Sequence, residues 1–265
     1  MTWIQIVVLA VVQGLTEILP ISSSGHLVLV PNLLGWTDQG LVFDVAVHFG
    51  SLGAVCLYFR EDLRGLVRGG LQLATGRYGT LESRMALGIG IGTVPAAVAG
   101  LLLAGWIGAN LRDPMVVVAT LSGYGILLAL ADRFGRQERV LSEVRLVDAL
   151  VIGLAQALAL VPGTSRSGVT ITAGMMLGLK RQDAARFSFL LSAPVILLAT
   201  IHEAGTLLLD GGRVSWGELA SGALVSGLVA YFSIAFFMRF VTHSGLMPFA
   251  IYRLLLAAVI LYVLG

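Results

Sequence analysis

Residues 20–25 read Pro-Ile-Ser-Ser-Ser-Gly and residues 162–168 read Pro-Gly-Thr-Ser-Arg-Ser-Gly, and each stretch lies inside a long apolar segment. The two segments run from residue 3 to 35 and from residue 147 to 179. Because proline and glycine end helices, and serine and threonine favour caps and turns, each segment is predicted to form a helix, a polar loop and a second short helix. Backbone of this kind survives at membrane depth only inside protein or beside a wet cavity.

The composition points to a membrane protein. Of the 265 residues, 57% are hydrophobic and only 12% are charged, whereas a soluble domain carries about 25% charged residues. This excludes an ordinary soluble enzyme, a nucleic-acid-binding protein and a disordered chain. A β-barrel would show alternating segments of roughly ten residues, so we expect an all-α polytopic membrane protein. The single cysteine, Cys56, excludes an intrachain disulfide, and the absence of Lys or Arg before Arg60 argues against a cleavable signal peptide.

Six further apolar segments are long enough to cross the hydrocarbon core as helices, which takes about 20 residues. They cover residues of about 41–59, 86–107, 114–131, 186–208, 217–238 and 247–264.

The distribution of the basic residues distinguishes between two possible topologies. If both broken segments turn back, the protein has six full transmembrane helices and two re-entrant helix-loop-helix segments. Thirteen of the seventeen Lys and Arg residues then share one side, chiefly in loops 60–84, 132–146 and 180–186, with Arg112 and Arg213 opposite. If both segments cross instead, the split is ten against five. The positive-inside rule favours the first topology, with both chain ends outside the cytoplasm.

A shift of 143 residues aligns the two broken segments. Each is followed by three full spans, and an odd number of crossings gives the repeats opposite topologies. We therefore expect one membrane domain, 1–265, built from an inverted repeat of about 1–131 and about 147–265, whose polar loops meet near the midplane. The aligned pairs are Gln13 with Gln156, Leu15 with Leu158, Ser22 with Ser165, Ser24 with Ser167 and Gly25 with Gly168.

Few ionisable residues lie at membrane depth, where they are costly and usually functional. His202 and Glu203 fall late in their span, so an interfacial role is expected for them. For Arg253, a structural pairing and a functional role both remain open. The residues that lie deeper are Glu17, His26, Arg166 and Arg253, with Asp44 and His48 beside them.

The first loop offers two kinds of chemistry. Gln13 and Glu17 are four residues apart and share a helix face, where they suit either a hard cation or a general base. Ser22, Ser23 and Ser24 precede Gly25 at a helix start, which is a plausible cradle for phosphate because helix N-termini expose N–H donors.

The second loop adds an anion clamp. Arg166 supplies a planar fork that matches phosphate oxygens, and Thr164, Ser165 and Ser167 supply hydroxyl groups. Taken singly, such serines more often cap helices, and a lone arginine is often a structural partner. Together the two loops bring a nucleophile, a base and a positive charge, the set that phosphoryl transfer requires.

At these residues the chain resembles the bacterial undecaprenyl pyrophosphate phosphatases of the bacitracin-resistance type. Residues 13–26 are similar to the family's (E/Q)xxxE motif and the following Ser-Ser-x-Gly-His, and residues 162–168 are similar to its PGxSRSG motif. The stretches 43–48, 187–194 and 248–253 are also similar, so the resemblance covers nearly the whole chain.

The resemblance implies removal of the terminal phosphate from a C55 polyprenyl diphosphate, with a divalent cation, Mg²⁺ or Ca²⁺, as cofactor. It implies Glu17, Ser23, His26 and Arg166 as catalytic positions. Either Ser23 attacks the phosphorus or Glu17 activates water, and both routes remain open. Gln13 stands where some relatives have Glu, so only Glu17 and Gln13 are expected as metal ligands. The predicted phosphate-binding residues are Ser22, Ser24, Gly25, Thr164, Ser165 and Ser167, and the secondary candidates are His48, Asp44 and Arg253.

The expected setting is the bacterial cytoplasmic membrane, with membrane lipid around the protein and the active site open to the outer face. A homodimer and a monomer both remain open. The main alternative is a polyprenyl-phosphate flippase or transporter, because inverted repeats with broken helices are typical of carriers. The other membrane phosphatase type, with a catalytic histidine, would require that histidine at position 172, which is Thr172.

Overall fold

The computed structural model describes residues 1–36, 40–111, 113–210 and 215–264. Over these ranges the chain is almost entirely helical and forms no β-strand, only one isolated bridge between Arg139 and Leu179. The expectation of an all-α fold is confirmed. The helices are α1 (Trp3–Thr16), α2 (Ser23–Leu34), α3 (Leu41–Tyr58), α4 (Arg60–Ala74), α5 (Leu81–Asn110), α6 (Pro114–Phe134), α7 (Leu146–Ala157), α8 (Arg166–Met176), α9 (Arg181–Asp210), α10 (Trp216–Ser244) and α11 (Met247–Leu264).

Four of the described helices, α5, α6, α9 and α10, are long and apolar enough to cross a membrane. A fifth span results if α3 and α4, which are bent by 84° at Phe59, are counted as one. The protein is therefore a multi-pass membrane protein. Each of the six predicted spans coincides with a helix, but α11 falls among the shorter apolar helices. The described residues therefore support four or five spans, and the six-span count is not confirmed. Arg112 and Arg213 lie outside the described residues.

The predicted loop 60–84 is wrong over its first fifteen residues, because Arg60–Ala74 forms α4, and its last four residues already belong to α5. Leu63, Leu66 and Gly69 recur at helical spacing; the two leucines pack against the main hydrophobic core, and Gly69 contacts α5. Gly69 permits the close approach, since a Cβ there would lie 2.1 Å from the backbone oxygen of Glu82. The many charged residues of this segment suggest a loop, but its apolar residues recur at helical spacing and the segment forms a helix.

The two predicted breaks are present where the sequence places them. The first separates α1 from α2 and contains Pro20. The second follows a short 3-10 turn, Leu158–Leu160, and precedes α8. Gly163 adopts a φ of +86° in this second break, a conformation that costs glycine little. Both apolar segments are therefore helix-loop-helix units, as predicted.

Close backbone contact holds α3 against α10. Ser51 and Ser226 share a hydrogen bond of 3.0 Å, and Ser226 Oγ also donates to the carbonyl oxygen of Val47 at 2.8 Å. Small residues and buried hydroxyls of this kind are the usual means of helix association in membranes. Gly50 lies at the contact, and a Cβ there would lie only 2.1 Å from the backbone oxygen of Ala223.

A Gly50→Ala variant is expected to lower the free energy of unfolding by about 1–3 kcal/mol, because the added methyl group meets backbone that cannot move aside. Gly53→Ala on the same helix is the control, since a Cβ there meets no atom within 4 Å. The control should be neutral or stabilising by up to about 1 kcal/mol through helix propensity. Thermal unfolding in detergent measures both, and equal melting temperatures would contradict the proposed contact.

Candidate active site

Glu17, which directly follows α1, is the centre of a buried polar cluster and is 9% exposed. Its Oε1 accepts a hydrogen bond from Arg166 Nη2 at 2.6 Å. Its Oε2 accepts from Ser23 Oγ at 2.8 Å and from Gln13 Nε2 at 3.2 Å. His48 Nε2 lies 3.6 Å from the same oxygen. The Glu17 carboxylate therefore contacts a hydroxyl group, a guanidinium group, an amide and an imidazole.

Local backbone geometry brings these groups together. Gln13 and Glu17 occupy one face at the end of α1, as their spacing predicts. Ser22 has a φ of +74°, which is unusual for a non-glycine residue, and α2 starts directly after it with Ser23. Ser165 has a φ of +69° and caps α8 by accepting a hydrogen bond from the Gly168 N–H. Each loop therefore turns sharply just before the residue that contacts Glu17.

The two loops also contact each other directly. The backbone N–H of Gly163 donates to Ser24 Oγ at 3.2 Å. Ser167 Oγ donates to the carbonyl oxygen of Leu19 at 3.2 Å. One serine from each loop therefore binds the backbone of the other, and the Glu17–Arg166 ion pair adds a third connection.

A cavity of about 280 Å³ opens beside this cluster. Its apolar lining comes from α5, α9 and the 3-10 turn after α7, including Ala96, Leu160 and Ile196. Its polar lining comes mainly from the two loops and comprises Glu17, Ser22, Ser23, Ser24, Ser165, Arg166, His48, Gln156, Thr16, Thr200 and Glu203. A charged head group and an apolar chain could both contact such a surface.

The predicted site residues differ in whether their side chains line the cavity. Glu17, Ser22, Ser23, Ser24, Ser165, Arg166 and His48 line the cavity, and Gln13 reaches it through its hydrogen bond to Glu17. Gly25, Thr164 and Ser167 belong to the two loops or helix starts but are not among the lining residues. Asp44 lies one turn before His48, and its carbonyl oxygen accepts from His48 Nδ1 at 2.7 Å.

His26 is held away from Glu17. Its Nδ1 bonds the carbonyl oxygen of Ser22 at 2.7 Å, and its Nε2 bonds Tyr252 Oη at 2.7 Å. Both ring nitrogens are thus occupied, and His26 is not among the described residues that line the cavity. The imidazole next to the carboxylate belongs to His48, which the sequence analysis ranked second.

Arg253 on α11 is fully buried, and within the described chain it forms no ion pair. Its guanidinium group instead donates to backbone carbonyl groups of both polar loops and of α6. A buried cation needs such compensation. The acceptors are Thr164 at 2.9 Å, Gly163 at 3.0 Å, Leu121 at 3.2 Å, Thr120 at 3.4 Å and Pro20 at 3.5 Å.

The residues present suit a divalent cation bound together with phosphate. Gln13 Oε1 is buried and has no hydrogen-bond partner among the described residues, and it belongs to the side chain that already contacts Glu17. Mg²⁺ typically uses one or two carboxylates plus substrate phosphates rather than a complete protein cage. The described residues contain no cluster of three or more His, Cys, Asp or Glu side chains, so substrate oxygens would have to complete the coordination.

Several residues at the site were not predicted from the sequence as site residues, and three of them make informative contacts. Gln156 and Glu203 line the cavity, and Tyr252 binds His26. Gln156 could have been found, because the internal repeat aligns it with Gln13. Glu203 was assigned to the interface from its position alone. Tyr252 lies in the stretch 248–253 that resembles the family, but no local spacing indicates its contact, since its partner is 226 residues away.

Comparison with known proteins places the chain in a family. The model of the family described as bacitracin resistance protein BacA matches residues 6–259. A protein of Nitrosococcus oceani named undecaprenyl-diphosphatase is 53% identical over 262 residues, 99% of each chain. One of Hahella chejuensis with the same name is 52% identical over 258 residues, 97% of each chain. A protein of Stutzerimonas stutzeri named undecaprenyl-diphosphatase 2 is 49% identical over 264 residues, 98% of each chain. The chain therefore belongs to the bacitracin resistance protein BacA family.

Proposed function

We propose that this protein is a membrane phosphatase that hydrolyses undecaprenyl diphosphate to undecaprenyl phosphate and inorganic phosphate. Relatives that share about half of their residues with it over nearly their full length are named for this activity. The observation that carries the proposal is the contact of Glu17 with both Ser23 and Arg166 beside the cavity. Base, nucleophile and positive charge are what phosphoryl transfer requires.

In the proposed mechanism Ser23 Oγ attacks the terminal phosphorus while Glu17 Oε2 takes the hydroxyl proton. The Oγ–P bond forms and the bond from phosphorus to the bridging oxygen breaks, so that the lipid leaves as its monophosphate. Water then cleaves the phosphoserine, returning the proton to Ser23 and releasing inorganic phosphate. Arg166 stabilises the charge on the phosphoryl oxygens, and its Nη1, buried and unpaired within the described chain, is free to do so.

A divalent cation, Mg²⁺ or Ca²⁺, would be held by Glu17 and Gln13. When bound it would neutralise charge on the diphosphate oxygens. His48 lies where it can hold a proton beside Glu17. His26 orders the first loop through Ser22 and Tyr252, so we assign it a positioning role.

The inverted repeat, with six spans and two re-entrant units, is part of the proposal. It is supported by the equivalent serines Ser22 and Ser165, two of the three described non-glycine residues with positive φ. Within each loop that serine pairs with the next but one, Ser22 with Ser24 at 3.1 Å and Ser165 with Ser167 at 3.4 Å. The helix contacts follow the same repeat. α1 packs against α10, and α7, the counterpart of α1, packs against α5, the counterpart of α10.

The cytoplasmic membrane of a bacterium is the proposed location, with the cavity open to the outer face. The charge distribution supports this orientation, since α4 and the segments 132–146 and 180–186 carry most of the basic residues. Undecaprenyl diphosphate and membrane lipid are the proposed partners.

Phosphate release from polyprenyl diphosphate by the purified protein in detergent tests the proposal. Wild-type protein should be active and a chelator should abolish the activity. Ser23→Ala should lower kcat by about 10³-fold or more, because removal of a catalytic nucleophile typically has an effect of this size or larger, and acid quench should trap phosphoserine only in protein that retains Ser23.

Ser142→Ala, at an exposed cytoplasmic-side position, is the matched control and should keep the wild-type rate. A Ser23→Ala variant that keeps most of its rate would instead assign the attack to water activated by Glu17. A wild-type protein that binds the lipid but releases no phosphate would favour the flippase.

A further inference from the structure

Gln156 on α7 is a buried amide without a partner. The residue is 2% exposed and lines the cavity, yet neither Oε1 nor Nε2 forms a hydrogen bond within the described chain. Buried amide groups are nearly always paired in folded proteins. An unpaired one at a cavity wall therefore indicates a ligand that binds there.

The internal repeat explains why this amide is free. Its counterpart Gln13 donates to Glu17, four residues further along. The residue four positions after Gln156 is Leu160, which cannot accept a hydrogen bond. The same amide is thus retained in both repeats, but only the first repeat supplies it with a protein partner.

Helix packing fixes Gln156 in this position. One turn earlier, Gly153 lies against α5, and a Cβ on it would be 2.3 Å from the carbonyl oxygen of Gly92. The backbones of α7 and α5 are therefore in direct contact, and α7 cannot move toward α5 to give the amide another partner.

The neighbours of Gln156 indicate which part of the substrate it meets. Ala159 and Leu160, three and four residues later, lie on the same helical face and line the cavity with Ala96 and Ile196. Ser23 and Glu17 belong to the opposite repeat. A polyprenyl diphosphate joins an apolar chain to two ionised phosphates, so the phosphate attached to the chain belongs beside the apolar lining and the terminal one beside Ser23.

Resting on the function proposed above, we propose that Gln156 Nε2 donates to an oxygen of the lipid-linked phosphate. The amide thereby holds the phosphate that stays on the lipid, while Arg166 Nη1 and the first loop hold the phosphate that leaves. Gln156 is then a substrate-binding residue that contacts both the substrate and the lipid product, but not inorganic phosphate.

A Gln156→Leu variant tests which of the two phosphates the amide contacts, because leucine has a similar size but no hydrogen-bond donor. KM for polyprenyl diphosphate and the inhibition constant of polyprenyl monophosphate should both rise about 10- to 100-fold, the effect of losing a hydrogen bond to a charged group. The inhibition constant of inorganic phosphate should stay unchanged. The melting temperature without substrate should not fall, since an unpaired buried amide is removed.

Gln72→Leu on α4 is the control, because Gln72 donates to Glu82 at 3.1 Å and accepts from Thr80. It should lower the melting temperature and leave KM unchanged, the reverse of the pattern at Gln156.

Three outcomes overturn the inference: an unchanged inhibition constant for polyprenyl monophosphate, a parallel rise in that of inorganic phosphate, or a fall in the melting temperature without substrate. Failure of the proposed function looks different. Wild-type protein would then be stabilised by polyprenyl diphosphate without releasing phosphate, and loss of that stabilisation in Gln156→Leu would still support the contact.

Discussion

A Glu17→Gln variant is expected to lose about three orders of magnitude in kcat, because a positioned general base contributes typically 10²- to 10⁴-fold. The amide keeps the size of the side chain but cannot take the proton of Ser23, which donates to Glu17 at 2.8 Å. The substitution also removes the negative charge that pairs with Arg166, whose Nη2 is bound to Glu17 Oε1 at 2.6 Å. A guanidinium group without a paired carboxylate attracts phosphate more strongly. With the divalent cation at saturation, so that loss of the Glu17 ligand does not limit binding, KM should stay level or fall.

This combination of a lower kcat and an unraised KM distinguishes loss of the base from loss of the fold. Arg166→Met should show the opposite trend in KM, because it removes the positive charge that meets the phosphate. Glu61→Gln is the control, since Glu61 is exposed and pairs with Arg64 on α4. Steady-state phosphate release in detergent measures all three variants. If Glu17→Gln keeps more than one tenth of the wild-type kcat, Glu17 is not the proton acceptor.

Local chemistry explains what the sequence could predict. Pro20 and the Pro162-Gly163 pair disfavour a helix interior, and the hydroxyl residues that follow them favour caps and turns, so both breaks could be predicted. Proline alone is not sufficient, since Pro31, Pro95 and Pro194 lie inside helices. Gln13 and Glu17 share a face because of their spacing alone. The match of Ser22 with Ser165 in the repeat anticipated that both loops would have the same form, and both residues do have positive φ.

Tertiary contacts decide what the sequence could not. The sequence places His26 and His48 in two successive predicted helices but does not show which of them faces Glu17. His26 is turned away by Tyr252, which comes from the far end of the chain. His48 faces Glu17 because α3 packs beside α1. The helix α4 was missed for a different reason, since its arginines suggested a loop while Leu63, Leu66 and Gly69 followed helical spacing.

Arg253→Met is expected to have the second large effect, on the fold and the activity together. Methionine fills much of the same volume but removes the hydrogen bonds that Arg253 gives to five backbone carbonyl groups. Three of these belong to the broken segments, at Pro20, Gly163 and Thr164, where no helix supplies a replacement. We expect the free energy of unfolding to fall by about 3–5 kcal/mol, because each buried carbonyl group left without a hydrogen bond costs about 1–3 kcal/mol.

Activity should fall by more than about 100-fold even at temperatures where the Arg253→Met protein remains folded, since a displacement of about 1 Å at a catalytic group has effects of this size. The stability and activity of Arg253→Lys should lie between those of wild-type protein and Arg253→Met. Lysine keeps the charge but not the planar fork that reaches both loops. Arg239→Met, at an exposed position near the end of α10, is the control and should change neither property. Thermal unfolding measures the stability of each variant, and phosphate release by the same preparations measures its activity. If Arg253→Met loses stability but keeps wild-type kcat in its folded state, the loops hold their geometry through Ser24, Ser167 and the Glu17–Arg166 pair. Arg253 is then structural rather than a positioning residue for the site.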